Sequence, residues 1–136
     1  MADQGARPTA ATVFAILHFV FGGLGLFGIL GIGAIFSRSA IYGILSLISF
    51  GVSALLVFAG VTLITNKKNA LDMNQYYVFA SLGVTAITAV YLIIAFGIVG
   101  LIGAIFSVLV GLIYPLLVLF LVVKSQPAIE FYGSQN

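Results

Sequence analysis

Three long stretches of the sequence contain no charged side chain. They cover residues 10–36, 40–65 and 73–123, with short polar segments between them. A transmembrane helix needs about 20 consecutive apolar residues, so stretches of this length predict helices that cross a bilayer. The third stretch has 51 residues, and a helix of that length would measure about 75 Å against a hydrocarbon core of about 30 Å. We therefore expect it to fold back once and to cross twice.

The pattern predicts an all-α integral membrane protein whose four transmembrane helices form a bundle, with residues 1–136 as a single membrane domain. Helices are favoured because backbone in hydrocarbon must satisfy its own hydrogen bonds, and long apolar stretches lack the alternation of barrel strands. A cleavable signal peptide has an apolar region of about 7–15 residues, so we expect the longer first helix to be retained. The turn between helices 3 and 4 is expected within residues 97–107. The predicted spans are residues 10–36, 40–65, 74–98 and 102–123.

An internal repeat relates the two halves of the chain. Residues 27–37 read FGILGIGAIFS and residues 96–107 read FGIVGLIGAIFS, so one inserted residue aligns them almost identically. Downstream, the IYG at 41–43 corresponds to the IYP at 113–115. The repeat predicts two helical hairpins of the same orientation, related by a pseudo-twofold axis along the membrane normal. The repeated halves would be residues 1–69 and 70–136.

Composition narrows the class of protein further. Hydrophobic residues make up 62% of the chain and charged residues only 6%, whereas soluble domains carry about 25% charged residues. The mean hydropathy of +1.30 agrees. These values exclude a soluble enzyme, a disordered tail and a nucleic-acid-binding protein, since the net charge is only +2. The chain has no cysteine, which excludes disulfides, a thiolate nucleophile and cysteine-bound metal.

The basic residues near helix ends predict the orientation of the helices. Arg7, Lys67, Lys68 and Lys124 fall on one side of the predicted bundle, and Arg38 falls on the other. Cytoplasmic loops carry the excess of lysine and arginine. We therefore expect both termini in the cytoplasm, in a bacterial inner membrane.

Glycine recurs at three-residue spacing in both copies of the repeat. This spacing forms a slanting ridge on a helix and allows a neighbouring backbone to approach closely. The alternative is a broken helix that lines a transport site, but no polar residue accompanies the glycines. We therefore interpret them as helix-packing positions. The glycines are Gly22, Gly25, Gly28, Gly31, Gly97, Gly100 and Gly103.

Hydroxyl side chains form a stripe on each of two predicted helices. Their spacing places each set on one helical face. Such hydroxyls bond to carbonyls of the preceding turn or across helices. The alternative hypothesis is that the hydroxyls line a path for a small neutral solute. Such a path would need an oligomer, because side chains fill the centre of a single small four-helix bundle. The polar stripe comprises Ser46, Ser49 and Ser53 on helix 2, and Ser81, Thr85 and Thr88 on helix 3.

His18 is the single histidine of the chain and lies within the first predicted span. Ionisable groups inside a membrane are candidates for function. One imidazole is enough for an axial ligand to haem or to a chlorophyll-type pigment, but not for a metal site, since no second ligand lies in a span. The alternative interpretation is a neutral imidazole that is hydrogen-bonded to another helix.

These observations predict a small structural or accessory subunit of a membrane complex or homo-oligomer. No catalytic residues can be assembled, because no nucleophile–base pair or paired carboxylates lie in the spans, and we expect no enzyme activity and no metal. The expected partners are the lipid bilayer and other membrane subunits or copies of the chain, without nucleic acid. Two alternatives stay open: an oligomeric channel or carrier for a small neutral solute, and a subunit that binds haem or pigment through His18.

Overall fold

The computed structural model describes residues 5–31, 37 and 39–135, and all regular structure within these residues is helical. The first two helices are α1, Thr9–Phe27, and α2, Ala40–Ile64. A longer stretch, Ala70–Val118, follows them and ends in a π-helical turn, Leu119–Val123. The last helix is Gln126–Gly133. The predicted all-helical architecture is thus confirmed for the described residues.

The long stretch consists of two helices that fold back on each other at Gly97. This residue has φ 59° and ψ −129°, a conformation that glycine adopts without the steric cost of a Cβ. Gly111 lies so close to Thr85 that an added Cβ would be 2.6 Å from its Oγ1, whereas these positions would be about 39 Å apart along a straight helix. We call the two arms α3 (70–96) and α4 (98–118), and the last helix, Gln126–Gly133, α5.

The helices pack around a common core. α1 packs along α2, and α2 packs along α3. α4 closes the bundle against α1, where the Tyr114 ring meets the Phe21 ring with centroids 4.9 Å apart. Three helical stretches are long and apolar enough to cross a membrane. They are Thr9–Phe27, Ala40–Ile64 and Ala70–Val123.

The first helix is shorter than the predicted span 10–36. α1 ends at Phe27 and Gly28–Gly31 form a 3-10 turn, while residues 32–36 lie outside the described residues. Each glycine costs about 1 kcal/mol of helix stability relative to alanine, and glycines are dense in this part of the chain. Conversely, α3 begins at Ala70, ahead of the predicted 74, so its first turn includes the charged residue Asp72.

Both terminal segments lie at the same end of the bundle as the α2–α3 loop. Arg7 donates from Nε to the Asn66 Oδ1 (2.8 Å) and from Nη2 to the Ile64 carbonyl (2.7 Å). The Tyr132 hydroxyl on α5 donates to the Leu63 carbonyl at 2.9 Å. These carbonyls belong to the last turn of α2, where the helix itself supplies no regular partner. Burial raises the pKa of Tyr132 to about 12, against the opposing effect of the Arg7 charge.

Candidate functional site

His18 lies at the centre of the bundle, where it touches side chains or backbone from every long helix. Its side chain is 0% exposed. Gly60 on α2 faces it so closely that an added Cβ would be 2.9 Å from the His18 Cβ. Asn74 on α3 and Tyr114 on α4 bind its two ring nitrogens. We call His18, Asn74 and Tyr114 the His18 network.

The hydrogen bonds assign one tautomer to the imidazole. The Asn74 Nδ2 donates to the Ala70 carbonyl at 2.8 Å, so the amide oxygen of Asn74 faces His18. Because this oxygen only accepts, the His18 Nε2 carries the hydrogen and donates it over 2.7 Å. The Tyr114 hydroxyl, 2.6 Å from Nδ1, then donates to the bare nitrogen. This pattern satisfies a neutral imidazole completely.

Aromatic rings enclose the His18 network. The rings of Phe14, Tyr77 and Tyr114 have their centroids 6.4, 5.8 and 5.8 Å from that of the imidazole. The Tyr77 hydroxyl is hydrogen-bonded to Ser81. Among the described residues, every buried side-chain nitrogen and oxygen has a hydrogen-bond partner. The buried polar atoms of the described core are therefore hydrogen-bonded within the protein.

The arrangement does not support His18 as a cofactor ligand. An axial ligand to haem or a chlorophyll-type pigment needs one ring nitrogen free to face the metal, and both nitrogens of His18 are engaged with Asn74 and Tyr114. In the part of the chain that the structure describes, no group of three His, Asp or Glu side chains stands together. What the geometry shows is a hydrogen-bond network between side chains of three helices.

The predicted hydroxyl stripes meet in one groove on the side of the bundle. Ser46, Ser49 and Ser53 each donate to the carbonyl four residues earlier in α2. Ser49 and Ser53 face Ser81 and Thr85 of α3 across a groove of about 220 Å³, whose walls also include Val52, Leu56, Tyr77 and Val84. Ser46 and Thr88 are not part of this lining.

The predicted packing glycines have different surroundings. An added Cβ on Gly22 or Gly25 would collide with α2, and one on Gly100 would collide with the Leu92 carbonyl. Gly103 makes ordinary contact with Leu92, and Gly97 forms the reversal. An added Cβ on Gly28 or Gly31, in the 3-10 turn after α1, would meet no described atom within 4 Å, so for these two positions packing stays a prediction.

Sequence reasoning assigned no role to Asn74, although it lies deepest of the amides in the structure, at 0% exposed. A signal was present, since Asn74 and Gln75 are the only amides in the uncharged stretch 73–123. Buried polar groups need hydrogen-bond partners, so an asparagine there indicates a polar partner on another helix.

No protein-family model, no curated protein and no solved structure matches this chain.

Proposed function

We propose that the protein is a structural or accessory membrane subunit that crosses the bilayer four times and performs no chemistry of its own. The observation that carries the proposal is the closed His18 network, in which both ring nitrogens of the single histidine are bound to Asn74 and Tyr114. Intramembrane ionisable groups usually mark function. Here that group joins three helices instead.

The contacts at one end of the bundle support a cytoplasmic location for both termini. Arg7 binds Asn66, and Tyr132 binds Leu63, so the terminal segments and the α2–α3 loop share one side of the proposed membrane. Lys67 and Lys68 belong to the same loop. The excess of basic residues favours the cytoplasmic side for this end.

Two pairs of contacts support the repeat as structural symmetry. The Tyr42 and Tyr91 rings are tilted against each other with centroids 6.0 Å apart, and the Tyr114 and Phe21 rings meet edge to face with centroids 4.9 Å apart. When the two halves of the repeat are exchanged, Tyr42 maps onto Tyr114 and Tyr91 maps onto Phe21, to within the small shift in register of the repeat. In addition, α1 ends at Phe27 and α3 ends before Gly97, which are equivalent Phe-Gly positions. A pseudo-twofold axis along the membrane normal accounts for these correspondences.

The outer surface of the bundle fits lipid or another apolar protein surface. Large apolar side chains are strongly exposed along α4 and at the end of α1, with Ile98 and Leu30 both at 83%. Soluble monomers rarely present contiguous apolar patches of more than a few hundred Å². A bilayer, with further membrane subunits or copies of the chain, would cover this surface.

Native mass measurement in mild detergent and in lipid nanodiscs tests the proposed function. We expect the protein to run as a homo-oligomer or with co-purifying membrane subunits. Crosslinking in intact membranes before extraction serves as the control against detergent-driven assembly. A lone monomer in every mild condition, with no crosslinked species, contradicts the proposal.

The groove between α2 and α3 favours a second candidate function, an oligomeric channel or carrier for a small neutral solute. Its four serine and threonine side chains lie together in the structure, and copies of the chain could enclose the groove. Solute flux into liposomes tests this function. Ser49→Leu and Thr85→Leu should abolish flux, and Ser46→Leu, on α2 but outside the lining, should not. Absence of flux for every neutral solute removes the candidate.

A further inference from the structure

A second pocket lies at the end of the bundle where the α2–α3 loop meets α5. Its volume is about 570 Å³. Lys67, Lys68 and Asp72 line one side, and Ile129 and Tyr132 of α5 line the other. The pocket is separate from the His18 network and from the hydroxyl groove.

The two lysines of this pocket differ in their surroundings from the other described basic groups at this end of the bundle. Neither ammonium group forms an ion pair or a hydrogen bond within the described residues. By contrast, Arg7 is bound to Asn66, and the Lys124 ammonium lies over the Phe120 ring, 5.9 Å from its centroid. Asp72 offsets one of the two lysine charges, so the pocket carries a net charge of about +1.

We propose that this pocket binds the phosphodiester headgroup of an anionic lipid. The proposal rests on the membrane placement proposed above, which puts the ends of α2 and α3 at headgroup level. A phosphodiester carries one negative charge, which matches the net charge of the pocket, and lysines attract anionic lipid at a membrane surface. Leu71 and Ile129 also line the pocket and offer apolar surface to the glycerol backbone and first methylenes of a lipid. A free phosphate monoester shares the phosphate chemistry but lacks the acyl chains.

Native mass spectrometry of the delipidated protein in detergent tests the site. The probes are phosphatidylglycerol and phosphatidylcholine, added separately at equal concentration. We expect phosphatidylglycerol adducts to exceed phosphatidylcholine adducts. In the double variant Lys67→Gln/Lys68→Gln the ratio of the two adducts should fall by a factor of about five or more. Asp72→Asn should increase it. Lys124→Gln is the matched control, a lysine at the same end outside the pocket, and should leave it unchanged.

Each contrary result identifies what has failed. If both lipids form equal adducts, or if the double variant keeps its preference, the lipid site is refuted. Neither result affects the proposal that the protein is a membrane subunit. Displacement of the lipid by excess glycerol phosphate overturns the lipid as occupant and assigns the pocket to a free phosphate group. A protein that does not float with vesicles of either lipid overturns the membrane placement itself.

Discussion

The His18 Nε2 lies 2.7 Å from the Asn74 Oδ1, across 56 positions of the chain. This bond joins α1 to α3, which are diagonal in the bundle because α2 and α4 lie between them. The Asn74 Nδ2 is also 3.5 Å from the Ala59 carbonyl on α2, and Tyr114 brings α4 to the same imidazole. One small cluster therefore fixes the relative rotation of the four long helices.

Replacement of Asn74 tests the importance of this bond. Asn74→Leu removes the acceptor of His18 and leaves a buried N–H unpaired, which costs about 1–3 kcal/mol. We expect a lower unfolding temperature in detergent, measured by circular dichroism. Gln75→Leu is the control, since Gln75 is the exposed neighbouring amide, and should leave the unfolding temperature nearly unchanged. Equal unfolding temperatures for wild type and Asn74→Leu would show that the bond is dispensable.

The glycines of α2 provide a packing test with an internal reference. An added Cβ at Gly60 would lie 2.9 Å from the His18 Cβ, whereas Gly51 has nothing within 4 Å. Both alanine substitutions gain about 1 kcal/mol of helix propensity, but Gly60→Ala also overpacks the core, at a cost of about 1–3 kcal/mol. In chemical denaturation we expect Gly51→Ala to be the more stable variant. Identical stabilities would argue against the close approach of α1 and α2.

Tyr132 is predicted to hold α5 on the bundle. Tyr132→Phe removes the hydroxyl that donates to Leu63, and the loss should amount to about 1 kcal/mol. Amide hydrogen exchange in α5 should become faster, with α1 unchanged. Tyr76→Phe, at an exposed tyrosine of α3, is the control. Slow exchange of α5 in Tyr132→Phe would mean that α5 docks by other contacts.

The raised pKa of Tyr132 predicts that the stability of the protein depends on pH in the alkaline range. The pKa of Tyr132 is raised by burial from 10.0 to about 12, so the folded state favours the protonated phenol. Its contribution to stability is complete below pH 10 and is lost as the pH rises toward about 12. The stability difference between wild type and Tyr132→Phe should therefore shrink over this interval in denaturation experiments. A constant difference would contradict the raised pKa.

The number of long helices follows from sequence alone, but their limits and the short helix α5 do not. Absence of charge over residues 73–123 is enough to predict a reversal, since one straight helix would be far longer than the hydrocarbon core is thick. The residue at which the chain turns is harder to predict, because Gly97, Gly100 and Gly103 all lack a Cβ. Only Gly97 among the described glycines has positive φ.

The partners of His18 were not predictable for a related reason. A hydrogen bond between helices depends on how each helix is rotated about its axis, and small differences in hydrophobic pattern do not determine this rotation when every face is apolar. Nothing in the sequence pairs Tyr114 with His18. The hydroxyl stripes could be predicted, because the spacing of Ser49 and Ser53 along one helix is enough to place them on one face.

The central claim is that the single histidine of the chain is a neutral structural group, and nitrogen-15 NMR of histidine-labelled protein in bilayers tests it directly. Only His18 contributes to the spectrum, so no assignment is needed. At pH 7 we expect one protonated ring nitrogen, Nε2, and one bare nitrogen, Nδ1, that accepts a hydrogen bond. A doubly protonated ring, the opposite tautomer or a metal-bound nitrogen would contradict the account.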